Sequence, residues 1–165
     1  MKKQIIWSLA VIAVFAAFIA IYVGVVNANR AEKCREYEQL LGGHSYSGFD
    51  SITTDGHGKV SYRYEMDLNA DGTCLIHFKA TRSGDTSRFP KNGTTEFDLT
   101  GMNWYVRYSS GGYEVYIAGG DWNWQDWTSA TMSRSISILD FEDGDLLLKT
   151  TRNKHYEFYF RKQTD

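Results

Sequence analysis

Ile5 to Val26 is a run of 22 residues without a single charge, interrupted only by Trp7, Ser8, Tyr22 and Gly24. As a helix rising about 1.5 Å per residue it reaches roughly 33 Å, enough to cross a hydrocarbon core of about 30 Å. Lys2 and Lys3 precede it, and Trp7 and Tyr22 stand near its two ends, where amphipathic rings favour the membrane interface. Residues 1–28 are therefore expected to be a single transmembrane anchor. The competing reading is a secretory signal cleaved near Ala28, which would leave a secreted or periplasmic domain. Apolar cores of such signals run about 7–15 residues, shorter than this one. With the anchor uncleaved, the short lysine-bearing tail stays in the cytoplasm and the chain after Asn27 lies outside it. Arg30, Lys33 and Arg35 oppose that orientation by count, but a globular domain translocates largely regardless of its charge.

The charged residues, 18 basic and 20 acidic, all fall outside the run. Residues 29–165 carry 16 of the basic and all 20 acidic groups, a net charge of -4. That balance offers no electrostatic footprint for nucleic acid and weakens docking on an anionic bilayer through the domain itself. The same stretch holds 21 of the 25 aromatic residues and the single Pro, a composition that folds.

Asn29 to Leu41 lacks Pro and Gly, and its Cys34, Tyr37 and Leu41 form one stripe of a short amphipathic helix. Gly42-Gly43 supplies its stop, so residues 29–43 read as a short helix and linker leading into a domain at 44–165. From there the period changes to two. Val60, Tyr62, Tyr64, Met66 and Leu68 alternate with Ser61, Arg63, Glu65 and Asp67. Similar alternation marks Cys74 to Ala80, Thr95 to Leu99, Trp104 to Tyr108, Tyr113 to Ile117, Met132 with Ile136 and Ile138, Leu146 to Thr150, and Tyr156 to Phe160. With a strand around Tyr46 to Phe49, nine candidates result. Asn69-Ala70-Asp71-Gly72, Ser110-Gly111-Gly112, Glu142-Asp143-Gly144 and Arg152-Asn153-Lys154 are short turns, which join antiparallel neighbours. The expected fold is mainly β, an antiparallel up-and-down barrel of eight or nine strands. A β-sandwich is the alternative, since a meander must hide its edges one way or the other.

Leu41-Gly42-Gly43-His44-Ser45-Tyr46 resembles the helix-then-Gly-x-Trp opening of lipocalin-like domains, with Tyr46 at the place of the Trp. Tyr64 to Thr73 is similar to the aromatic strand ending in an Asp-Gly-Thr hairpin of bacterial members. Gly101-x-x-Trp104, Asp145-Leu146-Leu147-Leu148 and a final aromatic strand continue the order. The resemblance spans nearly all of the chain after the anchor. It implies an up-and-down barrel able to hold an apolar ligand, and it implies no catalytic residues.

Asp67-x-Asn69-x-Asp71-Gly72 has half of a calcium loop, but Phe78 stands where the closing Glu belongs, so a plain hairpin is expected. His44, His57, His77 and His155 show no ligand spacing, and neither a serine nucleophile elbow nor a phosphate loop occurs. No catalytic residue, metal site or cofactor is therefore expected, and the chain does not read as an enzyme. The most unusual stretch is Trp122-Asn123-Trp124-Gln125-Asp126-Trp127. Its rings and amides suit stacking on a sugar or gripping an amphipathic molecule, and equally a plug for a barrel end. Trp104, Trp122, Trp124 and Trp127 are the candidate binding residues. In an oxidising compartment Cys34 and Cys74 are candidates for a disulfide, with two free thiols as the alternative. The functional expectation is a membrane-tethered extracytoplasmic module binding a hydrophobic small molecule or a glycan. The alternative is an interaction subunit of an envelope protein complex, with a filled barrel and no ligand.

Overall fold

The computed structural model describes residues 2–53, 58–84, 93–120, 133–140, 146–152 and 156–163. Its only helix among these residues, α1, runs unbroken from Lys2 to Leu41. The expected division between an anchor ending at residue 28 and a separate short helix is thus not seen, because Asn27-Ala28-Asn29 contains no residue that breaks a helix. Forty residues make a rod of about 60 Å. α1 is long and apolar enough to cross a membrane, and none of its most apolar window is buried in the protein. The helix stops at the glycine pair. The Gly42 amide still donates to the Glu38 carbonyl at 2.9 Å, and Gly43, at φ 81°, turns its amide to the Leu68 carbonyl at 2.6 Å.

The strands β1 (His44–Thr53), β2 (Lys59–Leu68), β3 (Thr73–Ser83), β4 (Gly93–Ser109), β5 (Gly112–Gly119), β6 (Ser135–Asp140), β7 (Leu146–Arg152) and β8 (Tyr156–Lys162) follow. Each pairs antiparallel with the next, and β8 returns to β1, so the sheet is a closed barrel and not a sandwich. Two expected strands, at Thr95–Leu99 and Trp104–Tyr108, are one 17-residue strand. The join is a bulge. Cys74 faces Met102 while Ile76 faces Leu99, so β4 carries one extra residue at Thr100-Gly101, and Gly101 takes φ 70°. The bulge flips the parity: Leu99 is inward before it, and Met102, Trp104 and Val106 are inward after it.

Two ordered turns explain the register. Between β2 and β3 the Asp71 carboxylate accepts hydrogen bonds from the Thr73 amide (2.9 Å) and hydroxyl (2.6 Å), while the Asn69 amide donates to the Thr73 hydroxyl (2.9 Å). These bonds hold the Asp71 carboxyl below its usual range. Between β4 and β5, Ser110 (φ 49°) and Gly111 (φ 89°) form a two-residue turn with both central residues left-handed. The expected turns at Glu142-Asp143-Gly144 and Asn153-Lys154, and Met132, lie outside the described residues.

The buried side chains of the described strands and of the end of α1 form one hydrophobic cluster inside the barrel. Tyr46, Tyr62, Tyr64, Phe78, Phe158 and Phe160 are buried inside it, and Tyr64 stacks on Phe158 with ring centroids 4.9 Å apart. Tyr37 and Leu41, from the last turns of α1, close one end. Tyr46 donates its hydroxyl hydrogen to the Leu41 carbonyl at 3.4 Å, and burial pushes this phenol up to about 12.

Candidate binding cleft

The ladder between β1 and β8 is short. It consists of Tyr46 opposite Lys162, Ser47 opposite Arg161 and Gly48 opposite Phe160. Beyond Gly48, β1 stays paired with β2 as far as Thr53, and the earlier residues of β8 stay paired with β7. The two strands diverge at a residue that has no side chain. A Cβ on Gly48 would lie 3.1 Å from both the Phe158 and the Phe160 rings, so these rings occupy the space a larger residue needs. Gly in a strand interior marks such a close approach.

Where the strands part, an open cleft of about 850 Å³ lies across the outer face of β8, β1, β2 and β3. Phe49 and Tyr159 project into it from the two sides of the seam, with 60% and 43% of their surfaces exposed. Phe49, Arg63, Lys79 and Glu96 form one continuous row across β1 to β4. Lys79 is paired with Glu96 at 3.0 Å, Arg63 with Glu65 at 3.4 Å, and Lys149 with Glu157 at 2.8 Å. Arg161 adds a further cation to the cleft wall. The cleft therefore combines two exposed rings with flanking charges of both signs. Such a surface suits recognition.

Next to this row His77 is held between two carboxylates, with Nδ1 at Asp98 and Nε2 3.0 Å from Glu96. The hydrogen bond to Asp98, and then that to Glu96, raise the imidazole above its ordinary range. Among the described residues no group of three or more His, Cys, Asp or Glu side chains is placed to hold a metal ion.

Of the candidate binding residues, Trp104 is buried at the junction of helix and barrel. Its indole N–H donates to the Asn69 carbonyl at 2.9 Å, and its amide donates to the Gly72 carbonyl at 2.8 Å. The ring thereby ties the β2–β3 hairpin to β4 beneath the end of α1. Trp122, Trp124 and Trp127 lie outside the described residues. The bridge expected between Cys34 and Cys74 is not formed, and both are free thiols. Cys34 is hydrogen-bonded to the backbone of Tyr108, whereas Cys74 faces Met102. Six residues of β4, about 20 Å of strand, separate those two positions, and a disulfide tolerates Cα atoms no more than about 7 Å apart.

Sequence reading did not single out Phe49 and Tyr159. The signal was present in Phe158-Tyr159-Phe160, since three consecutive aromatics in a strand cannot all face inward. Comparison with family models, curated proteins and solved structures finds nothing that matches this chain.

Proposed function

We propose that this chain is a single-pass membrane protein whose lipocalin-like barrel, outside the cytoplasm, is an interaction module with a filled interior and a partner-binding cleft on its outer face. The observation that carries this reading is the division of aromatic residues. Tyr46, Tyr62, Tyr64, Phe78, Phe158 and Phe160 are buried inside, while Phe49 and Tyr159 stand exposed over the 850 Å³ cleft where β1 and β8 part. This favours an envelope protein partner over a hydrophobic molecule or glycan enclosed by the barrel. The diverging strands also offer backbone edges to an extended segment of that partner, a mode in which main-chain hydrogen bonds give affinity and flanking side chains give specificity. Lys2 and Lys3, close to the apolar run, support an amino terminus in the cytoplasm.

The test uses the full chain in its own membrane. A photo-crosslinking residue at Phe49 should yield one defined protein adduct, lost on Tyr159→Ala and absent when the crosslinker stands at Thr94. Native mass spectrometry of gently extracted protein should find no stoichiometric small molecule. A retained lipid or glycan, with no adduct at Phe49, would overturn the reading in favour of a ligand carrier.

A further inference from the structure

The way β4 lies against α1 fixes the height of the barrel above the apolar run. Trp104 packs beside Gly42, the Val106 amide donates to the Glu38 carboxylate at 2.9 Å, and the Tyr108 backbone meets Cys34. Each pair of strand residues advances about 6.6 Å, and each four helical residues about 6 Å, so the two elements keep step in opposite directions. The next step brings Ser110 level with Arg30. The guanidinium of Arg30 already lies 4.1 Å from the centroid of the Tyr108 ring. Arg30 is four residues beyond Val26, where the apolar run ends, or about 6 Å along the axis. Headgroups occupy roughly 5–8 Å on each side of the hydrocarbon core. The β4–β5 turn therefore comes down at headgroup depth beside the helix.

The chemistry of this tip fits that position. Tyr108-Ser109-Ser110-Gly111-Gly112-Tyr113 carries no charge, although the domain is acidic as a whole. Tyr108 and Tyr113 face each other across the turn with ring centroids 5.2 Å apart, and Ser110 and Gly111 are exposed. Tyrosine is a residue of the membrane interface. Beside the tip, an open groove of about 500 Å³ runs between α1 and β4; Asn27, Arg30, Arg35 and, at the end away from the tip, Glu38 line its helix side. Guanidinium groups bind phosphate in a bidentate fashion.

We propose that the β4–β5 hairpin is a second membrane contact, with Ser110 and Gly111 in the headgroup layer, Tyr108 and Tyr113 at its outer boundary, and Arg30 engaging phospholipid phosphates in the adjoining groove. The proposal rests on the reading of α1 as a membrane anchor. With a continuous helix and a foot on the bilayer, the barrel cannot swing freely, and its outer cleft is held at a set height.

Depth-dependent fluorescence quenching tests it on the full chain, with Cys34→Ser and Cys74→Ala, in nanodiscs of phosphatidylcholine and phosphatidylglycerol. An environment-sensitive label is placed at Ile19→Cys, Ser110→Cys or Lys59→Cys. An acyl-chain nitroxide should quench the label at position 19, and a headgroup nitroxide should quench position 110 several-fold more than position 59. Arg30→Gln should weaken the quenching at 110. Equal quenching at 110 and 59, with 19 still quenched, would overturn the hairpin contact and leave the anchor standing. No quenching at 19 would overturn both. Quenching at 110 that ignores Arg30→Gln would remove the phosphate contact.

Discussion

Gly48 faces the ring of Phe158 so closely that a Cβ at this position would lie 3.1 Å from the ring's Cε2 atom. The contact joins the packing of the interior to the shape of the outer cleft, because the β1–β8 ladder ends at the same residue. Gly48→Val should destabilise the domain by about 1–3 kcal/mol, the usual cost of overpacking a filled core. Phe158→Leu, introduced with it, should restore part of the loss. Urea unfolding of the single and double variants, read by near-ultraviolet dichroism, checks both. An unaltered midpoint for Gly48→Val would mean that the rings do not fill this space.

Trp104 anchors three elements through one side chain. Replacing it with Phe keeps most of the apolar bulk but leaves the Asn69 carbonyl without the indole donor, a loss of about 1–3 kcal/mol where that acceptor stays dry. Hydrogen exchange should report the change first at Gly72 and Thr73, whose hairpin the ring secures. A Trp104→Phe protein with full stability and unchanged exchange would remove the anchoring role.

The barrel was legible because its strands alternate without exception on β2 and β3, where Val60 to Leu68 and Cys74 to Ala80 bury every second residue. The bulge was not. A single extra residue at Thr100-Gly101 reverses the parity of β4, and period-two reading interprets a reversal as two strands. The unity of α1 was hidden for the opposite reason. Its composition changes sharply after Val26, yet composition decides which solvent surrounds a helix and not whether its hydrogen bonds continue. The cleft escaped because it depends on where two strands far apart in sequence, β1 and β8, stop pairing, and no local pattern encodes that point.

The two thiols should behave differently. Cys74 is buried, and burial, assisted by the Asp67 carboxylate, pushes its thiol up to about 12. Since the thiolate is the nucleophile, it should resist alkylation near pH 8 until the domain unfolds. Cys34 is only partly buried and is raised chiefly by that burial, then by Glu38, so it should react slowly in the folded state. Mass spectrometry after brief alkylation, without reductant, should show at most one modification in native protein and two after denaturation. A protein that takes up no label when denatured would carry the Cys34–Cys74 bridge.

His77 gives the barrel surface a pH dependence whose sign follows from its partners. Asp98 and Glu96 favour the imidazolium, so the folded midpoint lies above the ordinary value of 6.5. A group whose pKa rises on folding contributes its stability in full below the unfolded midpoint. That contribution disappears as the pH climbs through the folded midpoint. Stability should therefore fall modestly between about pH 6.5 and the folded midpoint, a small effect because the three side chains are partly exposed. Asp98→Asn removes the larger influence and should move the NMR titration of His77 downward, while Glu96→Gln should move it less. An imidazole that titrates at 6.5 or below in the folded protein, or one indifferent to Asp98→Asn, would show that the carboxylates do not hold its proton.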